Sequence, residues 1–155
     1  MINIKKILTF IICLVIWYLS SLIKIDSNYY QNLNLPFFTP PTMLFIIIKT
    51  ITNIGIATSM YLILIENKLK DIPKSYKLTL LTNYLFNQSF IPTFFLLKNS
   101  FLGFISTLGT FISSLFLYEE TYNINKKSTK YLDLYVLFSL FTTILVLTIY
   151  VLNTL

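Results

Sequence analysis

Residues 29–61 read YYQNLNLPFFTPPTMLFIIIKTITNIGIATSMY, and the fold turns on how this stretch is divided. Its first part, Tyr29–Pro41, is polar and aromatic and is punctuated by Pro36, Pro40 and Pro41. Its second part opens an apolar run, Met43–Ile65, that is long enough to cross a bilayer as a helix. A helix rises ~1.5 Å per residue, so roughly 20 residues cross a hydrocarbon core of ~30 Å. Proline suits the junction, because the N–H it lacks would have no helical partner in a first turn. Pro36, Phe37, Phe38, Pro40 and Pro41 make the loop stiff and apolar, so it is expected to lie as a lid on the mouth of a helix bundle.

Outward from this stretch the same kind of run recurs. Helices are expected at about Ile7–Ile25, Met43–Ile65, Leu78–Leu97 with Pro92 inside it, Phe101–Tyr118 and Tyr131–Leu152. The expected fold is an all-α membrane protein, a bundle of five transmembrane helices with the Pro-rich loop between helices 1 and 2, forming one domain over residues 1–155. Composition agrees: 55% of the 155 residues are hydrophobic, 12% are charged, and the mean hydropathy is +0.73. Such values belong to membrane chains rather than to soluble domains. The first run follows Lys5 and Lys6 as a signal peptide would, but it continues past the weak small-residue site Ser20-Ser21 through Leu22 and Ile23, so a retained helix is expected.

The charge excludes several classes. The net charge of +6 comes from lysines spread between the apolar runs, with no Arg, unlike the clustered basic face of a nucleic-acid binder. There is no His, and Cys13 is the lone cysteine. A zinc site, a His-ligated haem, a disulfide framework and Ser-His or Cys-His catalysis therefore find no residues to build on; no catalytic residue, metal or cofactor is expected. With five spans, Lys5, Lys6, Lys68, Lys70, Lys74, Lys77, Lys126, Lys127 and Lys130 fall on one side, and Lys24 and Lys98 on the other. The positive-inside rule then places the N terminus in the cytoplasm and the C terminus outside.

Polar side chains in a membrane helix mark faces turned to protein or water. On helix 2, Lys49, Asn53 and Ala57 share a side, and on helix 3 Asn83, Asn87 and Phe90 do. On helix 5, Tyr131, Tyr135, Phe138, Ser139 and Thr142 occupy a wider face. Ser106, Gly109 and Ser113 form a small-residue ridge on helix 4 that admits a close neighbour, from this chain or another copy. The Asn and Thr residues have two readings, interhelical hydrogen-bond partners or cavity wall. Lys49, about two turns into helix 2, either snorkels to the interface or turns its ammonium into a polar cavity. In a cavity it would suit a ligand carboxylate.

Three motifs carry a family resemblance. Leu33-x-x-Pro36-x-Phe38-x-Pro40-Pro41-x-x-x-Phe45, followed by Ala57-x-Ser59-x-Tyr61, resembles the first loop and second helix of the tryptophan-rich sensory protein/translocator protein family (TspO/MBR, the peripheral-type benzodiazepine receptors). Phe86-Asn87-Gln88-Ser89-Phe90-Ile91-Pro92-Thr93-Phe94-Phe95 is similar to the family's Leu-Asn-x-x-Trp-Ser-x-x-Phe-Phe, and Tyr135-x-x-Phe138-Ser139-x-x-x-Thr143 to its Trp-x-x-Phe-Ala-x-x-Leu-Asn, with Thr143 at the Asn position. The resemblance implies a five-helix membrane protein, commonly dimeric, that binds porphyrins, sterols and benzodiazepine-type ligands among its helices under the first loop. The ligand-contacting residues it suggests, together with the polar faces, are Tyr29, Pro40, Pro41, Phe45, Lys49, Asn53, Asn83, Asn87, Phe90, Tyr135, Phe138, Ser139 and Thr143.

The departures bear on function. This chain has one tryptophan, Trp17; Tyr29, Phe90 and Tyr135 stand at aromatic positions of the family, and Lys49 at a helix-2 Trp position. These replacements keep stacking surface but lose the indole N–H. The expected sterol-recognition pattern near the C terminus is missing, since no basic residue follows Tyr150, although Leu117-x4-Tyr122-x3-Lys126 fits it formally. The expected function is a membrane binding or sensory protein, a receptor for a flat apolar molecule such as a porphyrin or sterol, working as a homodimer in the lipid bilayer without nucleic acid. The alternatives are a small transporter of tetrapyrroles or lipids and a structural membrane subunit; an enzyme has little support.

Overall fold

The structure is a computed structural model that describes residues 4–23, 25 and 27–154, the Ser27 side chain excepted. Lys24, counted above in the lysine distribution, lies outside the described residues. Every regular element among them is helical. Helix α1 (Ile4–Tyr18) tightens into a 3₁₀ turn (Leu19–Leu22), and the single-turn helix α2 (Ser27–Gln31) follows. Then come α3 (Thr42–Glu66), α4 (Lys74–Ile91) with a π-helical turn at Pro92–Leu96, and α5 (Ser100–Ile124). The short α6 (Lys126–Thr129) and a 3₁₀ turn (Lys130–Leu132) lead into α7 (Asp133–Thr154).

Among the described residues, four stretches are long and apolar enough to cross a membrane: Ile4–Leu22, Thr42–Glu66, Ser100–Ile124 and Lys126–Thr154. The expected third span, α4, does not join them, because Lys74, Lys77, Asn83, Asn87 and Gln88 make it the most polar of the long helices.

Local chemistry sets the helix ends. Pro41 and Pro73 stand immediately before α3 and α4 with φ of −52° and −54°, where the locked ring presets the helical approach. Asn99 caps α5, its Oδ1 accepting from the Leu102 N–H at 2.9 Å. Asn125 caps α6, accepting from Lys127 and Ser128 at 2.9 and 3.1 Å, while its own amide donates to Glu66. The helix expected to end at Tyr118 runs on to Ile124, because Glu119 and Glu120 are good helix formers that project beyond the apolar span. Pro92 does not break the helix expected over Leu78–Leu97. It starts a wider π turn, in which the Leu97 N–H bonds the Pro92 carbonyl at 2.9 Å. The chain then reverses through Lys98, which takes a left-handed φ of 51°.

The end of α1 also differs from expectation. The α-helix stops at Tyr18, and Gln88 of α4 takes up the groups released there: its Oε1 accepts from the Ser20 N–H at 2.7 Å, and its Nε2 donates to the Trp17 carbonyl at 3.3 Å.

The small residues sit at helix crossings. A Cβ on Gly109 would stand 2.3 Å from the Phe86 ring, and one on Gly55 would stand 2.6 Å from the Tyr131 carbonyl. The Gly109 ridge is thus filled from within the chain, by α4. Tyr131 itself faces outward, contrary to its expected place on the inner face of helix 5. It lies in the 3₁₀ turn, where each residue advances 120° rather than 100°, so it is out of phase with α7.

These contacts define two ends. At one, rich in lysine, Ser75 donates to Glu120 at 2.9 Å and Asn125 to Glu66. A core of Trp17, Ile56, Ile63, Tyr76, Leu117 and Leu132 closes this half. At the other, the 32–41 loop lies across the helix ends. The Asn34 N–H donates to Asn153 Oδ1 at 2.9 Å, and Asn153 Nδ2 donates back to the Asn34 carbonyl at 3.0 Å. Thr39 closes a turn on the Pro36 carbonyl at 3.0 Å through its N–H and 2.7 Å through its hydroxyl. That turn throws Phe37 fully outward and packs Phe38 with Tyr29, Tyr30, Phe45, Phe90 and Phe95 above Phe94.

Candidate functional site

Beneath the loop lies a cavity of about 780 Å³, reached by the end of α1, α2, the loop, α3, α4 with its π turn, α5 and α7. Its wall is mainly apolar: Phe45 and Ile46 from α3, Phe90 and Phe94 from the α4 side, Phe138 and Ile149 from α7. Phe45 meets Phe138 at 5.2 Å between ring centroids, and Phe90 stacks with Phe94 at 5.5 Å. The π turn matters here. It brings Phe94 and Phe95 round to the side of Phe90, with rings 5.5 and 6.1 Å away.

A single hydrogen-bonded chain runs from this wall into the bundle. Lys49 Nζ donates to Asn87 Oδ1 at 3.3 Å, and Asn87 Nδ2 donates to the Tyr135 hydroxyl at 3.0 Å. Tyr135 donates to Asn83 Oδ1 at 2.7 Å. Asn83 Nδ2 donates to the Thr110 carbonyl at 3.0 Å and to Ser113 Oγ at 2.9 Å. Every donor points away from Lys49, so the chain presents its acceptor end to the ammonium. Four helices are tied by side chains that apolar surroundings would otherwise penalise.

Asn53 breaks the pattern. It lies on the cavity wall one turn below Lys49, is 0% exposed, and neither its Oδ1 nor its Nδ2 has a partner.

The structure brings together Pro40, Phe45, Lys49, Asn53, Asn87, Phe90, Tyr135, Phe138 and Ser139 on the cavity wall. Ser139 is already engaged, its hydroxyl donating to the Val136 carbonyl at 2.7 Å and lying 3.2 Å from Ser114 Oγ. The other expected contacts are not on the wall. Asn83 sits behind Tyr135 with its amide groups consumed by the chain above. Thr143 is buried, its hydroxyl turned back to the Ser139 carbonyl at 2.8 Å. Pro41 is exposed at the head of α3. Tyr29 packs edge-to-face on Phe94 at 5.8 Å, while its neighbours Tyr30 and Gln31 reach the cavity. Successive residues of a helical turn point 100° apart, so α2 cannot present all three to one place. Burial holds the Tyr29 and Tyr30 hydroxyls above the ordinary phenol range.

Tyr18, Thr107, Thr110 and the Leu145–Val146–Ile149 face were not singled out from the sequence, yet they line the cavity. Polarity inside an apolar run was the available signal for Tyr18 and the two threonines. The aliphatic face of α7 gave none. The formal sterol pattern Leu117-x4-Tyr122-x3-Lys126 does not form one surface: Leu117 is buried in the core, while Tyr122 is exposed with the Lys126 ammonium 5.0 Å from its ring centroid.

Comparison with known proteins agrees with the motifs. The sequence profile of the TspO/MBR family matches residues 9–152. The chain is 36% identical over 150 residues to the Tryptophan-rich protein TspO of Bacillus cereus, covering 96% of this chain and 97% of that one. With its apolar helices, this makes the chain an integral, multi-pass membrane protein. It belongs to the TspO/MBR family.

Proposed function

We propose that the protein binds a flat, largely apolar molecule of the porphyrin or sterol kind in the cavity under the loop, and acts as a membrane binding or sensory protein rather than as an enzyme. The observation that carries this reading is the cavity itself. At about 780 Å³ it lies within the roughly 300–1,000 Å³ of small-molecule sites, and like them it is apolar with few polar groups. The stacked rings of Phe90 and Phe94 on its α4 side, with Phe45 and Phe138 tilted against each other across α3 and α7, offer aromatic surface to a planar ligand. A carrier would need a second opening toward the lysine-rich end, where Trp17, Ile63, Tyr76 and Leu117 pack tightly; that packing favours binding over transport.

The same reading treats α4 as a fifth span. Asn83 and Asn87 face inward, while Leu78, Leu81 and Leu85 are more than half exposed on the outer side, so lipid meets leucine rather than amide. Five spans place the nine lysines in the cytoplasm with the N terminus and set the C terminus outside. A reporter fused after Leu155 is expected to be active only outside the cytoplasm, and cytoplasmic activity would reverse the assignment. A homodimer is proposed on the family resemblance, and cross-linking in the membrane tests it.

Trp17 provides the binding assay. It is the sole tryptophan, and its ring lies 6.3 Å from that of Tyr135 on the cavity wall. Titration of the purified protein with protoporphyrin is expected to quench Trp17 fluorescence saturably, and to do so less in a Phe90→Ala variant. Linear, non-saturating quenching that is equal in both proteins would overturn the reading.

A further inference from the structure

We propose that Lys49 and Asn53 form an acid-binding subsite, so that the ligand is an amphipathic carboxylic acid with its ring system among Phe45, Phe90 and Phe138. This rests on the cavity being the ligand site, and it names the class of molecule that fits. Lys49 and Asn53 lie four residues apart on α3 and share a face. Side chains so spaced have Cβ atoms ~5–6 Å apart, a separation that the two oxygens of one carboxylate can bridge. Both residues reach the cavity wall.

Each residue lacks something that a carboxylate supplies. Lys49 has one long contact, 3.3 Å to the neutral amide oxygen of Asn87, and an ammonium carries three donors. No acidic side chain lines the cavity among the described residues. A cation on an apolar wall is stabilised best by an anion. Asn53 is 0% exposed with both amide atoms unpartnered, and buried amides are rarely left so. One carboxylate oxygen would accept from Lys49 Nζ, and the other from Asn53 Nδ2 once that closed-off amide turns toward the cavity, two charge-assisted bonds that no ester or sterol hydroxyl reproduces. The Asn87–Tyr135–Asn83 chain holds its acceptor end at Lys49 and keeps the ammonium at this position on the wall.

The test compares protoporphyrin IX with its dimethyl ester on the full chain, read by Trp17 quenching and by thermal unfolding. The wild-type protein is expected to bind the acid at least tenfold more tightly than the ester. Lys49→Met should abolish that preference by weakening acid binding far more than ester binding, whereas Lys49→Arg should retain most of the preference. Asn53→Leu is expected to weaken acid binding threefold or more without lowering the melting temperature, because it removes two unpartnered buried atoms. Equal wild-type affinity for acid and ester, unchanged in Lys49→Met, would overturn the subsite and leave the cavity reading standing. Failure to bind either probe would overturn both. A lower melting temperature for Asn53→Leu, with acid binding intact, would assign Asn53 to packing and remove it from the subsite.

Discussion

At the lysine-rich end Ser59 and Ser128 meet at 3.0 Å, with the Ser128 hydroxyl also 2.6 Å from the Ser59 carbonyl, and Asn125 divides its amide between a helix cap and Glu66. At the loop end Asn53 has no partner and Lys49 has one long contact. The first half of the bundle is closed, and among its described buried side chains Thr121 Oγ1 and Trp17 Nε1 are left without a partner. The second surrounds the cavity, with Phe45, Phe90, Phe94 and Phe138 among its lining. What separates the two halves is packing. Below, Ile56, Ile63 and Leu117 interdigitate. Above, Phe94 meets Tyr29 edge-to-face and stacks with Phe90, whose ring meets Phe95 edge-to-face, and the cavity remains beside them.

Truncation tests this contrast with the largest effect. Ile63→Ala at the closed end is expected to cost ~2–5 kcal/mol, as for other buried aliphatic truncations. Phe45→Ala on the cavity wall should cost less than the ~3–5 kcal/mol usual for a buried phenylalanine, because one side of its ring already faces the void. Thermal unfolding in detergent measures both; similar losses would mean that the upper half is as tightly packed as the lower.

Removing one hydroxyl at the junction of the halves comes next. Tyr135→Phe leaves Asn87 Nδ2 without an acceptor and Asn83 Oδ1 without a donor. A cost of ~1–3 kcal/mol for each stranded group is expected, less whatever water recovers. The variant should also lose part of its preference for acid over ester ligands, an effect that a purely structural hydroxyl would not have. A melting temperature equal to that of the wild type would show that the chain is not formed.

Asn125→Ala removes the cap of α6 and is expected to destabilise the closed end by ~1 kcal/mol, with no change in ligand affinity. Altered affinity would mean that the two halves are coupled. The smallest effect belongs to the lid. Asn153→Ala deletes its reciprocal bonds to Asn34, worth ~0.5–1.5 kcal/mol each and less at an exposed site. Protease cleavage between residues 34 and 41 should quicken in that variant, yet stay slower than in denatured protein. Raised pH should act in the same direction. The Tyr29 and Tyr30 hydroxyls are held above the phenol range by burial, so their contribution to loop docking is whole below pH ~10 and is lost as pH rises through their folded values. Cleavage that does not change above that pH would remove them from the docking contact.

The sequence carried much of this in its polar residues. Lys49 and Asn53 stand out because each interrupts an apolar helix, and Asn87 shares a side with Asn83 and Phe90; burial of polar groups in lipid is expensive enough that such residues turn inward. The same logic overreached at Asn83 and Thr143, which also turn inward but spend their hydrogen bonds on neighbouring helices. No periodicity separates an amide that meets a ligand from one that meets a carbonyl. Pro92, expected inside a helix, left a different question open. Proline signals a broken hydrogen-bond ladder, but only the packed bundle decides whether the ladder bends, stops or widens into the π turn that carries Phe94 and Phe95 to the cavity.

By itself, then, the sequence determined a chain of apolar helices, a stiff loop docking over them, and which faces turn away from lipid, because these follow from hydrophobicity, proline geometry and helical period. Only the tertiary structure decided that Asn53 is unpartnered while Asn83 is fully bonded, that Gly109 receives Phe86 from the same chain, and that a cavity of about 780 Å³ opens beneath the loop. Those outcomes depend on distances between residues far apart in sequence. A few ångströms of helix separation decide whether two side chains bond each other or leave room for a third partner.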